Sequence, residues 1–327
     1  MQICIVAVCT FVLALVFGKL AIPMLRALKA GQPIRQIGPA WHKDKEGTPT
    51  MGGVIFIAAM LLCVIAAGWR GMRAGNMTFL YVLAFSLVYG LIGFADDFIK
   101  VKTKKNEGLT AAQKFALQLA AAGAYVALLR WSGVLSCELY IPFWNVTLRI
   151  NWIVYLIFAV FVIVGCVNAV NLTDGVDGLA ASVTIPVMVF FAVVSYCYGR
   201  TTLALLPASA VGALAGYLVY NFHPAKVFMG DTGSLFLGAL VCGMAFALDM
   251  PLVLILVGLI YITETVSVIL QVGYFKLTHG KRIFKMTPIH HHFEMCGWSE
   301  VRIVTVFTAI TVFMCVIAFL AVRNRPF

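Results

Sequence analysis

Ten runs of apolar residues, each about as long as a bilayer is thick, divide this sequence. They fall near 1–25, 51–68, 79–99, 112–130, 151–167, 180–198, 203–220, 233–249, 251–277 and 301–322. Roughly 20 such residues in a helix cross the hydrocarbon core. Lipid offers backbone N–H and C=O groups no partner, and a helix satisfies them within each run. The pattern predicts an all-α polytopic integral membrane protein, a bundle of about ten transmembrane helices forming one domain over 1–327. Composition agrees: 62% of the residues are hydrophobic and 11% charged, where a soluble domain carries roughly 25% charged residues. The runs near 203–220 and 233–249 are short and Gly-rich, the least regular part of the pattern.

The basic residues set an orientation. The first run has no basic segment before it, and Lys19, Arg26 and Lys29 come late, which favours a spanning helix with its N-terminus outside over a cleaved leader. Sixteen Lys and Arg residues lie in the loops after runs one, three, seven and nine, and seven lie at the other end. The positive-inside rule places the larger set in the cytoplasm and both termini on the periplasmic or extracellular side. The net charge of +11 is thus a topology signal, and no nucleic-acid partner is expected. Most of the nine cysteines fall in or beside apolar runs, and no CxxC points to zinc or redox chemistry.

The acidic residues carry more information. Of thirteen, only Glu138 and Asp249 fall at the outer end. Asp96 and Asp97 end the third run in "GFADDFIK", Asp174 and Asp177 follow the fifth, and Asp231 precedes the eighth in "FMGDTGS". An isolated Asp at the bilayer centre costs about 2.5–3.5 kcal/mol even on the lenient insertion scale. At span ends water lowers that cost, but three clusters on one face are more than helix terminators need. "NAVNLTDGVDGLA" (168–180) spaces Asn168, Asn171, Asp174 and Asp177 three apart with no Lys or Arg among them. A three-residue step turns a helix by about 300°, so neighbours in this series share a face and the series winds slowly round it. Gly175 and Gly178 loosen the second half of the series, small enough to let a ligand approach the backbone. The stretch reads as the polar mouth of a site at the membrane surface.

Carboxylates without local cations suit a hard divalent ion. Mg²⁺ takes one or two protein carboxylates and fills its other positions with water and substrate phosphates. Lys45 and Lys114, in the same predicted cytoplasmic loops, are the cations best placed to hold phosphate oxygens. Carboxylates, a metal and lysines are the recurring parts of phosphoryl transfer. "TPIHHHFEMCGW" adds His290, His291 and His292. Adjacent side chains point in different directions, so contacts to a diphosphate fit them better than one shared ion.

With these residues in view, the chain resembles the phospho-N-acetylmuramoyl-pentapeptide transferases of the polyprenyl-phosphate N-acetylhexosamine-1-phosphate transferase superfamily. The resemblance rests on "GTPTMGG" (47–53), "ADD" (95–97), "NAVNLTDGVDGLA", "NFHPAKVFMGDTGS" (221–234) and "PIHHHFE" (288–294), and covers essentially the whole chain. It implies ten membrane helices, a cytoplasmic active site, Mg²⁺ and a homodimer in the bacterial cytoplasmic (inner) membrane. The implied reaction joins UDP-MurNAc-pentapeptide to undecaprenyl phosphate, giving lipid I and UMP. By similarity Asp231 is the metal ligand, and Asp96 and Asp97 are the catalytic carboxylates, with His290 counted among the catalytic groups. Gly175, Asp177, Asn221 and Phe228 would hold the uridine, with Lys45 nearby. Lys114, Asn171, Asp174, His290, His291 and His292 would line the diphosphate and sugar, and Thr50 and Asn168 join the substrate-binding set. Gly212-x-x-x-Gly216 does not argue for the dimer, because such pairs more often pack helices within a bundle. Direct in-line attack by the lipid phosphate is favoured over a covalent phospho-aspartate. Two other readings remain: a sister transferase moving GlcNAc-1-phosphate to the same lipid, and an ion-coupled transporter. The lack of repeat symmetry and the one-sided carboxylates oppose the transporter.

Overall fold

The computed structural model of the chain describes residues 1–28, 47–103 and 107–325. In chain order the helices are α1 (Gln2–Ala27), α2 (Gly53–Arg73), α3 (Thr78–Thr103), α4 (Ala111–Trp131), α5 (Trp152–Thr173), α6 (Leu179–Cys197), α7 (Thr201–Asn221), α8 (Gly230–Ala247), α9 (Leu254–Val257), α10 (Leu259–Leu277), α11 (Ile289–Glu294) and α12 (Glu300–Val322). Among the described residues nine are long and apolar enough to cross a membrane, and α9 with α10 makes a tenth if the bent pair is one span.

That pair departs from the expected straight span over 251–277. The chain enters it through a 3-10 turn, Pro251–Val253, and bends by 82° between α9 and α10. At Gly258 the amide closes α9 on the Leu254 carbonyl, while the carbonyl opens α10 by accepting from Ile262. Hydropathy stays high across the break, so an apolar-run reading sees length and misses direction.

The two Gly-rich runs lie in the middle of the bundle. In α8, 89% of the spanning window is inside the protein, against 22% for α1. The eighteen residues of α8 rise about 27 Å. Helix α8 packs on α3 and α5, and α7 packs on α1, α2 and α6. At Gly93 a side chain would overlap the Asp231 carbonyl, so α3 meets the start of α8 backbone to backbone. Polar side chains inside the spans bond between helices: Asn168 to the Gln118 side chain at 2.7 Å, and Tyr125 to the Gly243 carbonyl at 2.8 Å.

Away from the acidic clusters, a hairpin of β1 (Glu138–Ile141) and β2 (Val146–Arg149) covers the end of α12. The Phe143 amide and the Tyr140 hydroxyl both donate to the Ala321 carbonyl. The acidic clusters lie at the opposite end. Alternating helix directions gather there the last turns of α3, α5 and α7 and the first turns of α2, α4, α6, α8 and α12.

Candidate active site

The last turns of α3 carry Asp96, Asp97 and Lys100. Adjacent residues on a helix diverge by about 100°, and the two acids turn to different neighbours. The first N–H groups of α8 have no partners within their own helix. Asp97 supplies them: one oxygen accepts from the Thr232 amide at 2.9 Å and hydroxyl at 2.7 Å, the other from the Asp231 amide at 3.2 Å. A carboxylate from α3 thus caps α8 and fixes where Asp231 stands. Gly230 makes the tight entry, with φ +66°, and a side chain there would strike Asp97 and Thr50.

Asp96 faces the cations. Its Oδ2 pairs with Lys100 at 2.6 Å, one turn on, and lies 3.8 Å from Lys114. Its Oδ1 accepts the Leu109 amide at 2.9 Å, which folds the chain before α4 back over the end of α3. Lys114 stands in the first turns of α4, after a capping box of Thr110 and Gln113. Asp231 is the hub: its Oδ2 takes Lys114 at 2.7 Å and Lys100 at 3.0 Å, and its Oδ1 takes the Asn171 amide at 2.8 Å. The Asn171 amide also donates to Ser234 on α8 at 2.7 Å.

Asp96, Asp97 and Asp231 can each offer an oxygen with all three atoms within 4.8 Å of one another. The donors are all carboxylate oxygens, the set a hard cation such as Mg²⁺ takes. Three carboxylates against two ammoniums leave no excess of positive charge at the cluster, so the donor set fits a hard cation. Ammoniums and acids on the same oxygens also make an electrostatic clamp for phosphate groups.

The remaining sequence candidates fall into three places. Asn168, one turn before Asn171, bonds to Gln118 and to the Val164 carbonyl, and so lies in the α4–α5 contact. Thr50 is buried beside Gly230, where the Pro49 carbonyl and Gly52 amide bond to the Phe228 backbone, so the first motif and the α8 entry are one structure. Asp174 caps the end of α5, and burial, then the charges of Asp231, Asp97 and Asp177, hold its carboxyl well above the usual carboxylate range.

Asp177 is buried in a second knot. Its Oδ2 accepts the Ala225 amide at 3.0 Å and lies 3.1 Å from the His223 Nδ1, while its own amide donates to Glu300 at 3.0 Å. Buried Asn221 donates to the Val227 carbonyl at 2.9 Å, and its Oδ1 has no partner among the described residues. Phe228 is half-buried nearby in sequence.

The histidines do separate things, as adjacent residues must. His290 is fully buried, with Nδ1 3.0 Å from Glu264 on α10. His291 pairs with Glu294 at 2.6 Å, and His292 accepts the Lys285 amide at 3.1 Å. The room that Gly175 leaves is filled by the His290 ring, whose Nε2 a side chain at 175 would strike, rather than standing open to a ligand as its small size suggests. Lys45 lies outside the described residues.

Lys100, Thr232, Ser234, His223, Glu264 and Glu300 are contacts the sequence reading did not single out. Lys100 was reachable, since it stands four residues after Asp96 on a helix. Glu264 and Glu300 gave no signal, because their partners are distant in sequence.

The fold and site define a class: a multi-pass membrane protein whose carboxylates and lysines converge at the helix ends, equipped for phosphoryl chemistry. The profile of glycosyl transferase family 4 matches residues 79–249, and phospho-N-acetylmuramoyl-pentapeptide-transferase signature 1 matches residues 45–57. The chain is similar to the phospho-N-acetylmuramoyl-pentapeptide-transferase of Clostridium acetobutylicum, 49% identical over 95% of this chain and 96% of the relative. A Clostridium perfringens protein of the same name is 48% identical over 97% of this chain and 96% of its own length. One from Clostridium botulinum is 47% identical over 95% and 94%. The chain belongs to the phospho-N-acetylmuramoyl-pentapeptide-transferase family, a branch of glycosyl transferase family 4.

Proposed function

We propose that this chain moves phospho-MurNAc-pentapeptide from its UDP carrier to undecaprenyl phosphate in the bacterial cytoplasmic membrane, releasing UMP and forming lipid I. The observation that carries this reading is Asp231 at the start of α8, gripped by Lys100, Lys114 and Asn171 and set in place by Asp97. The relatives carry the same activity in their name. The site end faces the cytoplasm and both termini lie outside, as the basic loops indicate. The homodimer of the resemblance belongs to this reading too.

Asp231 would hold Mg²⁺, with Asp96 and Asp97 within reach. Bound there, the ion would neutralise diphosphate charge. Lys100 and Lys114 would then hold phosphate oxygens. Asp97 orients α8 and Asp231. Asp96 positions the lipid phosphate. A phosphate monoester has a second pKa near ~6, so at neutral pH the nucleophile is already mostly dianionic and needs no strong base. That favours direct in-line attack on the phosphate attached to MurNAc. Asp177, Asn221 and Phe228 would seat the uridine, with the Gly175 backbone beside them.

The test is transfer in detergent with undecaprenyl phosphate and either UDP-MurNAc-pentapeptide or UDP-GlcNAc, with and without Mg²⁺. UMP should appear with the muramoyl substrate only, and Asp231→Asn should abolish it. Transfer from UDP-GlcNAc instead would establish the sister activity. Omitting the lipid separates the mechanisms: a stoichiometric burst of UMP would replace direct attack with a covalent enzyme intermediate.

A further inference from the structure

We propose that Glu264 is a positioning residue for His290: it takes the imidazole Nδ1–H and so aims Nε2 at the loop that joins α5 to α6. The proposal rests on the reading of His290 as a group at the diphosphate.

Glu264 stands in the second turn of α10, just past the bend at Gly258. It and His290 are both fully buried. Its Oε2 lies 3.0 Å from the His290 Nδ1 and 3.4 Å from the His290 amide. The other two polar atoms of the pair, His290 Nε2 and Glu264 Oε1, are buried as well and have no hydrogen-bond partner among the described residues. Burying a carboxylate beside a histidine is weak evidence of stabilisation, and orphaned buried polar atoms cost free energy. Two apolar residues would serve packing better. The arrangement makes sense if the imidazole is held ready for a ligand.

The direction of Nε2 supports this. It occupies the space of a Gly175 side chain, so it faces the backbone between Asp174 and Asp177. The group on one ring nitrogen of a histidine sets the state of the other. With Nδ1–H donating to Glu264, Nε2 is the atom that can accept, hold or return a proton at the site. The neighbour two residues on is arranged the other way: His292 Nδ1 accepts the Lys285 amide, so its neutral ring carries the proton on Nε2. The bend before α10 thus has a chemical consequence, because it brings an acid from an apolar run to the base of the site.

The chain has six histidines, few enough for ¹⁵N-imidazole NMR of the full protein in detergent, with His290 assigned by its loss in His290→Gln. His290 should show a protonated Nδ1, and Glu264→Ala should abolish that signature while the His292 signals stay. Glu264→Ala should lower kcat at least about tenfold, with KM for UDP-MurNAc-pentapeptide unchanged within about twofold. Glu264→Gln, whose carbonyl still accepts the Nδ1–H, should recover part of the loss. In a His290→Gln background Glu264→Ala should cost nothing further. An unprotonated Nδ1 in the wild type, or losses that multiply in the double variant, would overturn the proposal. Should Glu264→Ala not fold, the wild-type spectrum and Glu264→Gln still decide. The spectrum needs no substrate, so a wild type that makes no lipid I would sink the transferase reading and leave the positioning role to be judged by NMR alone.

Discussion

Two adjacent carboxylates on α3 divide between structure and chemistry. Asp97 spends its oxygens on the start of α8, whereas Asp96 meets the lysines. Their divergence follows from helix geometry and was legible in the sequence; which acid went where was not, since that depends on where α8 begins. Asp174 is the residue whose state can be tested by pH. Its folded-state pKa lies above the ordinary value of about 3.9. At low pH it is protonated in both folded and unfolded chains and costs nothing. As pH rises past ~3.9 the unfolded chain loses the proton first, so stability falls until the folded pKa is reached. Asp174→Asn should therefore raise the thermal midpoint of the metal-free protein by a few degrees at pH 7, and the gain should vanish near pH 4. A calorimetric scan at both pH values checks this, and an equal gain at both would show that desolvation of the charge is not the cause.

Among the elements, close helix contacts are the feature hardest to read from one-dimensional pattern. Gly212 and Gly165 both sit inside apolar helices, yet their surroundings differ completely. A side chain at Gly212 would overlap the Ala7 carbonyl of α1, while one at Gly165 would meet nothing within 4 Å. Gly212→Ala should cost about 1–3 kcal/mol, the range for overpacking a tight contact. Gly165→Ala should instead gain about 0.5–1 kcal/mol, because glycine is a poor helix former. Thermal unfolding in detergent distinguishes them, and equal effects would mean that α1 does not seat on α7 through Gly212. The pair Gly212 and Gly216 is spent on α1, consistent with intramolecular packing. The bent ninth span belongs to the same scale: its length was plain in the sequence and its 82° turn was not.

For the molecule as a whole, the testable claim is its orientation. Cys137 lies just before the hairpin and Cys296 just after α11, at opposite ends of the bundle. In single-cysteine variants, a membrane-impermeant maleimide should label Cys137 on intact spheroplasts and Cys296 only after permeabilisation. The reverse pattern would invert the topology and move the site outside. The membrane class, the span positions and the one-sided carboxylates were all determined by the sequence, because burial in lipid and the energetics of charge act locally along the chain. The tertiary structure alone decided which helix lies at the centre, that Asp97 caps α8, and that Lys100 joins Lys114 on Asp231. It alone brought Glu264 to His290 and Glu300 to Asp177. Those contacts join residues 26 to 135 positions apart, and their partners are chosen by helix packing and bend angles, which leave no periodic trace in the sequence.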